Sequence, residues 1–121
     1  MKLIYIAGPY RASGEWELVQ NIRRAEALAL EVWKLGAACI CPHKNTAFFG
    51  GTAPDELWLE GDLEMLRRCD AVLCTEDWER SAGARGEIKL AREIAIPVFE
   101  AIDELKSWLE SATLVRTGSG S

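Results

Sequence analysis

Leu3 to Ala7 is a run of consecutive apolar positions, followed by Gly8-Pro9 and mixed polar residues to Gly14. A short apolar run with β-branched and aromatic members, closed by turn residues, predicts a buried strand and then a loop. From Glu15 to Leu35 the period changes. Val19, Ile22, Ala25, Ala29, Val32 and Trp33 recur at three- and four-residue steps, which predicts an amphipathic helix ended by Gly36. Ala37 to Cys41 predicts a second strand, stopped by Pro42. His43 to Ala53 keeps neither period and predicts a long loop, of the kind that tends to serve as a functional lid. Pro54 suits a helix start, and Leu57, Trp58, Met65, Leu66 and Cys69 carry the helical pattern through Arg68. Ala71 to Cys74 predicts a third strand and Thr75 to Ser81 a polar loop. Ser81 is a natural cap for a helix running to about Ala95. Pro97-Val98-Phe99 predicts a short fourth strand, and Asp103 a cap for a last helix with Leu105, Trp108 and Leu109.

Strands alternating with helices predict an α/β fold with right-handed crossovers. The expected architecture is a single domain: a mainly parallel sheet of about four or five strands, helices on both faces, a flavodoxin- or Rossmann-like three-layer sandwich. A chain of 121 residues suits one such domain, here placed at 1–112. Residues 113–121, ending Thr117-Gly118-Ser119-Gly120-Ser121, predict a flexible tail of linker-like composition.

Composition narrows the partners. Apolar residues make up 49% and charged residues 27%, ordinary for a soluble globular protein. The net charge of -5 argues against a nucleic-acid polymer, whose backbone needs a basic surface. A single mononucleotide stays open, because one or two local cations hold a phosphate. No apolar run reaches the roughly 18 to 20 residues of a membrane span. The apolar stretch at Leu3–Ala7 is too short for a signal peptide, so a cytoplasmic location is expected. Cys39, Cys41, Cys69 and Cys74 are then expected to stay reduced, as small buried hydrophobes. Their spacing is not that of a zinc ribbon, so neither metal nor cofactor is expected.

Ligands in open α/β sheets bind beyond the carboxyl ends of the strands. Polar residues gather at junctions predicted for that edge: Tyr5, Gly8, Tyr10 and Arg11 first, Asp62 from the middle helix second, Ser81, Gly83 and Glu87 third. Each has a plainer use. Tyr5 can be core, Arg11 solvated, and Asp62 paired on the surface for little energy. Ser81 can be a cap alone, and Glu87 a carboxylate favoured by the helix dipole. His43 suits a structural role as well as a catalytic one. Together, two carboxylates and a cation suit chemistry at a glycosidic carbon. One carboxylate stabilises or captures the oxocarbenium-like sugar while another acid protonates the leaving group.

These residues resemble the nucleoside 2-deoxyribosyltransferase superfamily over roughly Leu3 to Phe99. The layout is closest to the 2′-deoxynucleoside 5′-phosphate N-hydrolases and to a poorly characterised bacterial and phage branch. Tyr5-Ile6-Ala7-Gly8 matches the opening strand, and Arg11 stands where an arginine contacts phosphate in the N-hydrolases. Gly61-Asp62-Leu63-Glu64-Met65-Leu66 before Asp70-Ala71-Val72-Leu73, then Ser81, Gly83 and Glu87, match the later signatures. The resemblance implies Glu87 as nucleophile, Tyr5 as its partner and Asp62 as the acid or a sugar-hydroxyl contact. It implies Arg11 and Ser81 at a 5′-phosphate, with Gly8, Tyr10 and Gly83 beside them. His43 and Asn45 lie in Pro42–Thr46, which matches the uncharacterised branch, and are candidate substrate contacts. It further implies a homo-oligomer with sites near subunit interfaces, for which Trp16, Trp33 and Trp58 can supply apolar surface. Where the enzymes carry a second glycine two residues before the glutamate, this chain has Arg85, which can crowd a base pocket or recognise a different anion. The expected activity is cleavage of the N-glycosidic bond of a (deoxy)nucleoside 5′-monophosphate, by hydrolysis or by sugar transfer to another base. The alternative is a non-catalytic nucleotide-sensing module of the same fold.

Overall fold

The computed structural model describes the backbone of residues 1–120 and the side chains of residues 1–112, so the tail expected at 113–121 lies outside the fully described residues. Its elements are β1 (Leu3–Ala7), α1 (Glu15–Lys34), β2 (Ala38–Ile40), α2 (Pro42–Asn45), α3 (Asp55–Arg67), β3 (Ala71–Cys74), a 3₁₀ turn (Trp78–Arg80), α4 (Ala82–Glu93), β4 (Val98–Phe99) and α5 (Ile102–Gly120). The strands form one sheet in the order β2-β1-β3-β4, and every pairing is parallel. This is the single-domain three-layer α/β fold expected from the alternation.

The pleat of β1 explains both layers. Successive side chains on a strand face opposite ways. Ile4 and Ile6 enter a core with Ala25, Ala29 and Val32 of α1 and Leu105 of α5. Tyr5 and Ala7 enter the other core, with Leu66 of α3 and Ile88 and Ala91 of α4. Burial of Leu66 and Ile88 contributes roughly 1.5–3 kcal/mol each. Cys39 and Cys41 do share a face, both packing on the α1 side. Burial pushes the thiols of Cys39 and Cys74 up to about 12, so they stay protonated.

Three details differ from the sequence reading. The expected loop His43–Ala53 opens with the short helix α2, because Pro42 both ends the strand and sits in the first turn. Asp103 does not cap α5; it lies in the helix's first turn, which begins one residue earlier. The helix α4 ends at Glu93, and Ala95 follows with φ 63. Gly36 takes φ +90 just past α1, the left-handed closing position expected of it.

Candidate active site

The chain leaves β1 for β2 on one side and returns to pair β3 with β1 on the other. The strand order therefore reverses between β1 and β3, and the crevice beyond their carboxyl ends is where such sheets bind ligands. Gly8 follows β1 there and is packed tightly: a Cβ on it would collide with Oγ1 of Thr75, which follows β3. Its bareness serves this close approach of two loops.

Tyr5, Asp62 and Glu87 converge beneath that crevice. Tyr5 projects to the α3–α4 side of β1 and is fully buried. Asp62 stands four residues before the buried Leu66, on the core-facing stripe of α3. Glu87 lies between Ala84 and Ala91, three residues after one and four before the other, on the buried stripe of α4. So the helical period carries both carboxylates inward. Burial raises the Asp62 carboxyl to about 6. Burial and the Asp62 charge raise Glu87 to about 7, partly offset by the Tyr5 hydroxyl. The pair thus holds about one proton near neutral pH. Burial, then the charge of Glu87, drives the Tyr5 hydroxyl far above its usual range, so it stays a donor. That hydroxyl faces Glu87 yet has no partner of good hydrogen-bonding geometry among the described residues.

The remaining expected residues divide. Ser81 is the N-cap of α4, its Oγ accepting from the Ala84 amide at 3.2 Å. Gly83 is exposed, with only the Ser81 Oγ near a built Cβ, at 3.8 Å. Arg11 pairs with Asp55 at 2.8 Å, both side chains more than half exposed, and is not brought against Ser81 in any direct bond. The Tyr10 hydroxyl accepts from the Phe48 amide at 3.2 Å, holding Phe48 at φ 64. Its ring meets His43 edge-on at 6.0 Å. His43 is buried, with Nε2 at 3.0 Å from the carbonyls of both Gly8 and Pro9. Those acceptors fix the proton on Nε2, and burial holds the ring's pKa below the usual range. His43 is thus a neutral brace under the β1 loop. Asn45 is exposed and lines a groove along β2 and α1 with Lys44, Glu26 and Trp33. Arg85 does not crowd the carboxylates. Its Nη1 donates to the Glu79 carbonyl at 2.6 Å, two positions away from Glu87 and so on the far side of α4.

Sequence reasoning missed Asn21, Thr75 and Asp77. Asn21 is 3% exposed on α1. The one available signal was its place four residues before Ala25, a polar residue on an otherwise apolar stripe. Trp58 was read only as apolar surface; it packs on Phe49 at 5.6 Å, and its indole N–H is buried with no described partner.

Residues 2–100 match the model of a family described as a domain of unknown function, DUF4406. The chain belongs to this family. The matched span takes in every residue that carries the resemblance to the nucleoside 2-deoxyribosyltransferase superfamily. No curated protein matches the DUF4406 chain in sequence. Among solved structures it is similar to a 2-deoxyribosyltransferase from the psychrotolerant bacterium Bacillus psychrosaccharolyticus. That likeness has a TM-score of 0.58 at 22% identity, over 79% of this chain and 69% of the other. It is also similar to a conserved protein from Enterococcus faecalis V583, with TM-score 0.65 and 24% identity over 81% of this chain. This DUF4406 chain spans 61% of the latter's length. At these identities the likeness establishes the shared fold. No helix among the described residues is long and apolar enough to cross a membrane.

Proposed function

We propose that this protein cleaves the N-glycosidic bond of a (deoxy)nucleoside 5′-monophosphate. The reading rests above all on the convergence of Tyr5, Asp62 and Glu87, with both carboxyls held near neutral by burial. A surface glutamate kept for the helix dipole would have no reason to sit on the buried stripe beside a second acid. In the first step a Glu87 Oε attacks C1′ of the sugar. The C1′–N bond breaks, its electron pair goes to the base nitrogen, and the proton that the two carboxyls share, carried on Asp62 in the reactive arrangement while Glu87 is ionised, passes to that nitrogen. In the second step a water oxygen, or a nitrogen of another base, attacks C1′. The C1′–Oε bond breaks back to the Glu87 carboxylate, and the incoming group's proton passes to Asp62. Tyr5 donates toward Glu87 and orients it.

A chromatographic assay for free base tests this, with a panel of ribo- and deoxyribonucleoside 5′-monophosphates. Base release is expected from at least one member, falling by at least about 10³-fold in Glu87→Gln. If no base is released but nucleotides still raise the melting temperature, the protein is a nucleotide sensor, because ligand bound only to the native state stabilises it.

A further inference from the structure

A continuous polar chain runs around the mouth of the site without touching its carboxylates. It begins at Asn21, whose Nδ2 donates to the Tyr10 carbonyl at 3.1 Å and the Arg11 carbonyl at 3.5 Å. Its Oδ1 accepts from Arg24 at 3.1 Å and from Arg80 at 3.5 Å. Both arginines also reach the Asp77 carboxylate, Arg80 at 2.9 Å and Arg24 at 3.4 Å. Burial works to raise the Asp77 carboxyl, but hydrogen bonds from Thr75 and Arg80 outweigh it and hold it below the usual range. Thr75 donates to Asp77 at 2.9 Å and stands in the space that a side chain on Gly8 would fill. The chain thus leaves the β1 loop at Tyr10 and Arg11 and comes back to it at Gly8, passing through the loop between β3 and α4.

We infer that Asn21 is a positioning residue. It is the joint that sets the spacing between the β1 loop, which bears Tyr10 and Arg11, and the β3–α4 loop, which leads into Ser81. The inference rests on the functional reading above and deepens it, since those loops are where the substrate's phosphate end would be held. Four bonds on one buried side chain make the choice of residue strict. Only a primary amide offers two donors to carbonyls on one side and an acceptor to guanidinium groups on the other. The carbonyls of Tyr10 and Arg11 have their direction fixed by this amide, and with them the path of the loop. Asn21 never meets Glu87 or Asp62 in any bond described, so its effect falls on how substrate is held rather than on bond cleavage.

The informative variant is Asn21→Asp. It keeps an acceptor for Arg24 and Arg80, so the fold is supported, but it turns a carboxylate oxygen toward the two loop carbonyls. Base release, melting temperature and backbone amide hydrogen exchange are measured together on the full chain, with Asn21→Gln as a second variant that retains the amide. For Asn21→Asp, KM for the best nucleoside monophosphate is expected to rise about tenfold or more, kcat to change less than about threefold, and melting to stay within a few degrees. Exchange should quicken at the Phe48 and Thr75 amides, which tie to these loops through the Tyr10 hydroxyl and the Ala7 carbonyl, while the rest of β1 and β3 stays protected. Asn21→Gln should recover part of the affinity. An unchanged KM, or a fall in kcat at constant KM, overturns the inference. If the wild type releases no base, the functional reading fails on its own. The exchange measurement then decides the joint: faster exchange confined to those amides upholds it, and unchanged exchange overturns it.

Discussion

Glu87 carries an energetic consequence that its neighbours make measurable. Its carboxyl, ordinarily at 4.5, sits at about 7 in the fold, raised first by burial. Between those values the folded state keeps a proton that the unfolded state has lost, so stability falls as pH rises from about 4.5 through about 7. The cost at pH 8 is on the order of 2–3 kcal/mol. Glu87→Gln, neutral at every pH, should therefore melt above the wild type at pH 8 by roughly 10 °C, the gap closing near pH 4.5. A thermal melt series across pH measures it, and an equal offset at both ends would show that Glu87 is solvated. Tyr5 makes the same point from the donor side. Its hydroxyl is buried and faces Glu87. Tyr5→Phe should leave the melting temperature within a few degrees of the wild type while lowering base release. A variant both less stable and less active would place the hydroxyl in the packing instead.

At the scale of elements, α4 ends on a residue poorly suited to the job. Ala95 takes φ 63 so that the Ile96 amide can reach the Ala91 carbonyl at 2.8 Å. A left-handed alanine costs roughly 1–2 kcal/mol, and glycine relieves it at a smaller entropic cost. Ala95→Gly should stabilise the protein by about 0.5–1 kcal/mol in chemical denaturation. Such an end is invisible to pattern reading, which expects glycine there. The long elements were legible because their periods are strong: β1 and β3 fall on the expected residues, and α1 and α3 within a residue or two. The helix α2 was not, since four residues hold barely one turn and no period. The three acidic and phenolic residues could be picked out singly: Tyr5 in a strand before a glycine loop, Asp62 on the middle helix, Glu87 in the helix after the third strand. That they meet is a property of the sheet pleat and two helix stripes, which no single segment contains. Asn21 stayed hidden because its partners are backbone carbonyls and a loop beyond β3, distant in sequence.

For the whole molecule, the exposed aromatic surface is the feature to explain. Trp16 is 78% and Trp33 54% exposed, and Leu30 stands beside Trp33 at 54%. A surface of that kind is usual where another chain packs. The superfamily resemblance points to a second copy of the same protein. Sedimentation equilibrium should give a dimer or larger, and Trp33→Glu should shift it toward the monomer. A wild type that stays monomeric at high concentration would remove the subunit interface from the functional reading. Trp58, in contrast, is half-buried against Phe49 and available mainly to its own fold.

The strand order has one more consequence, for assembly. β1 comes first along the chain yet occupies an interior place, bonded to β2 on one side and β3 on the other. Until residues 71–74 are available, one of its edges stays open, and the position beneath Tyr5 waits longer still, for Glu87 of α4. No early fragment can carry the site. During synthesis the first strand waits for more than half of the sequence given, so a nascent chain passes through a stage in which an apolar strand is paired along one edge only.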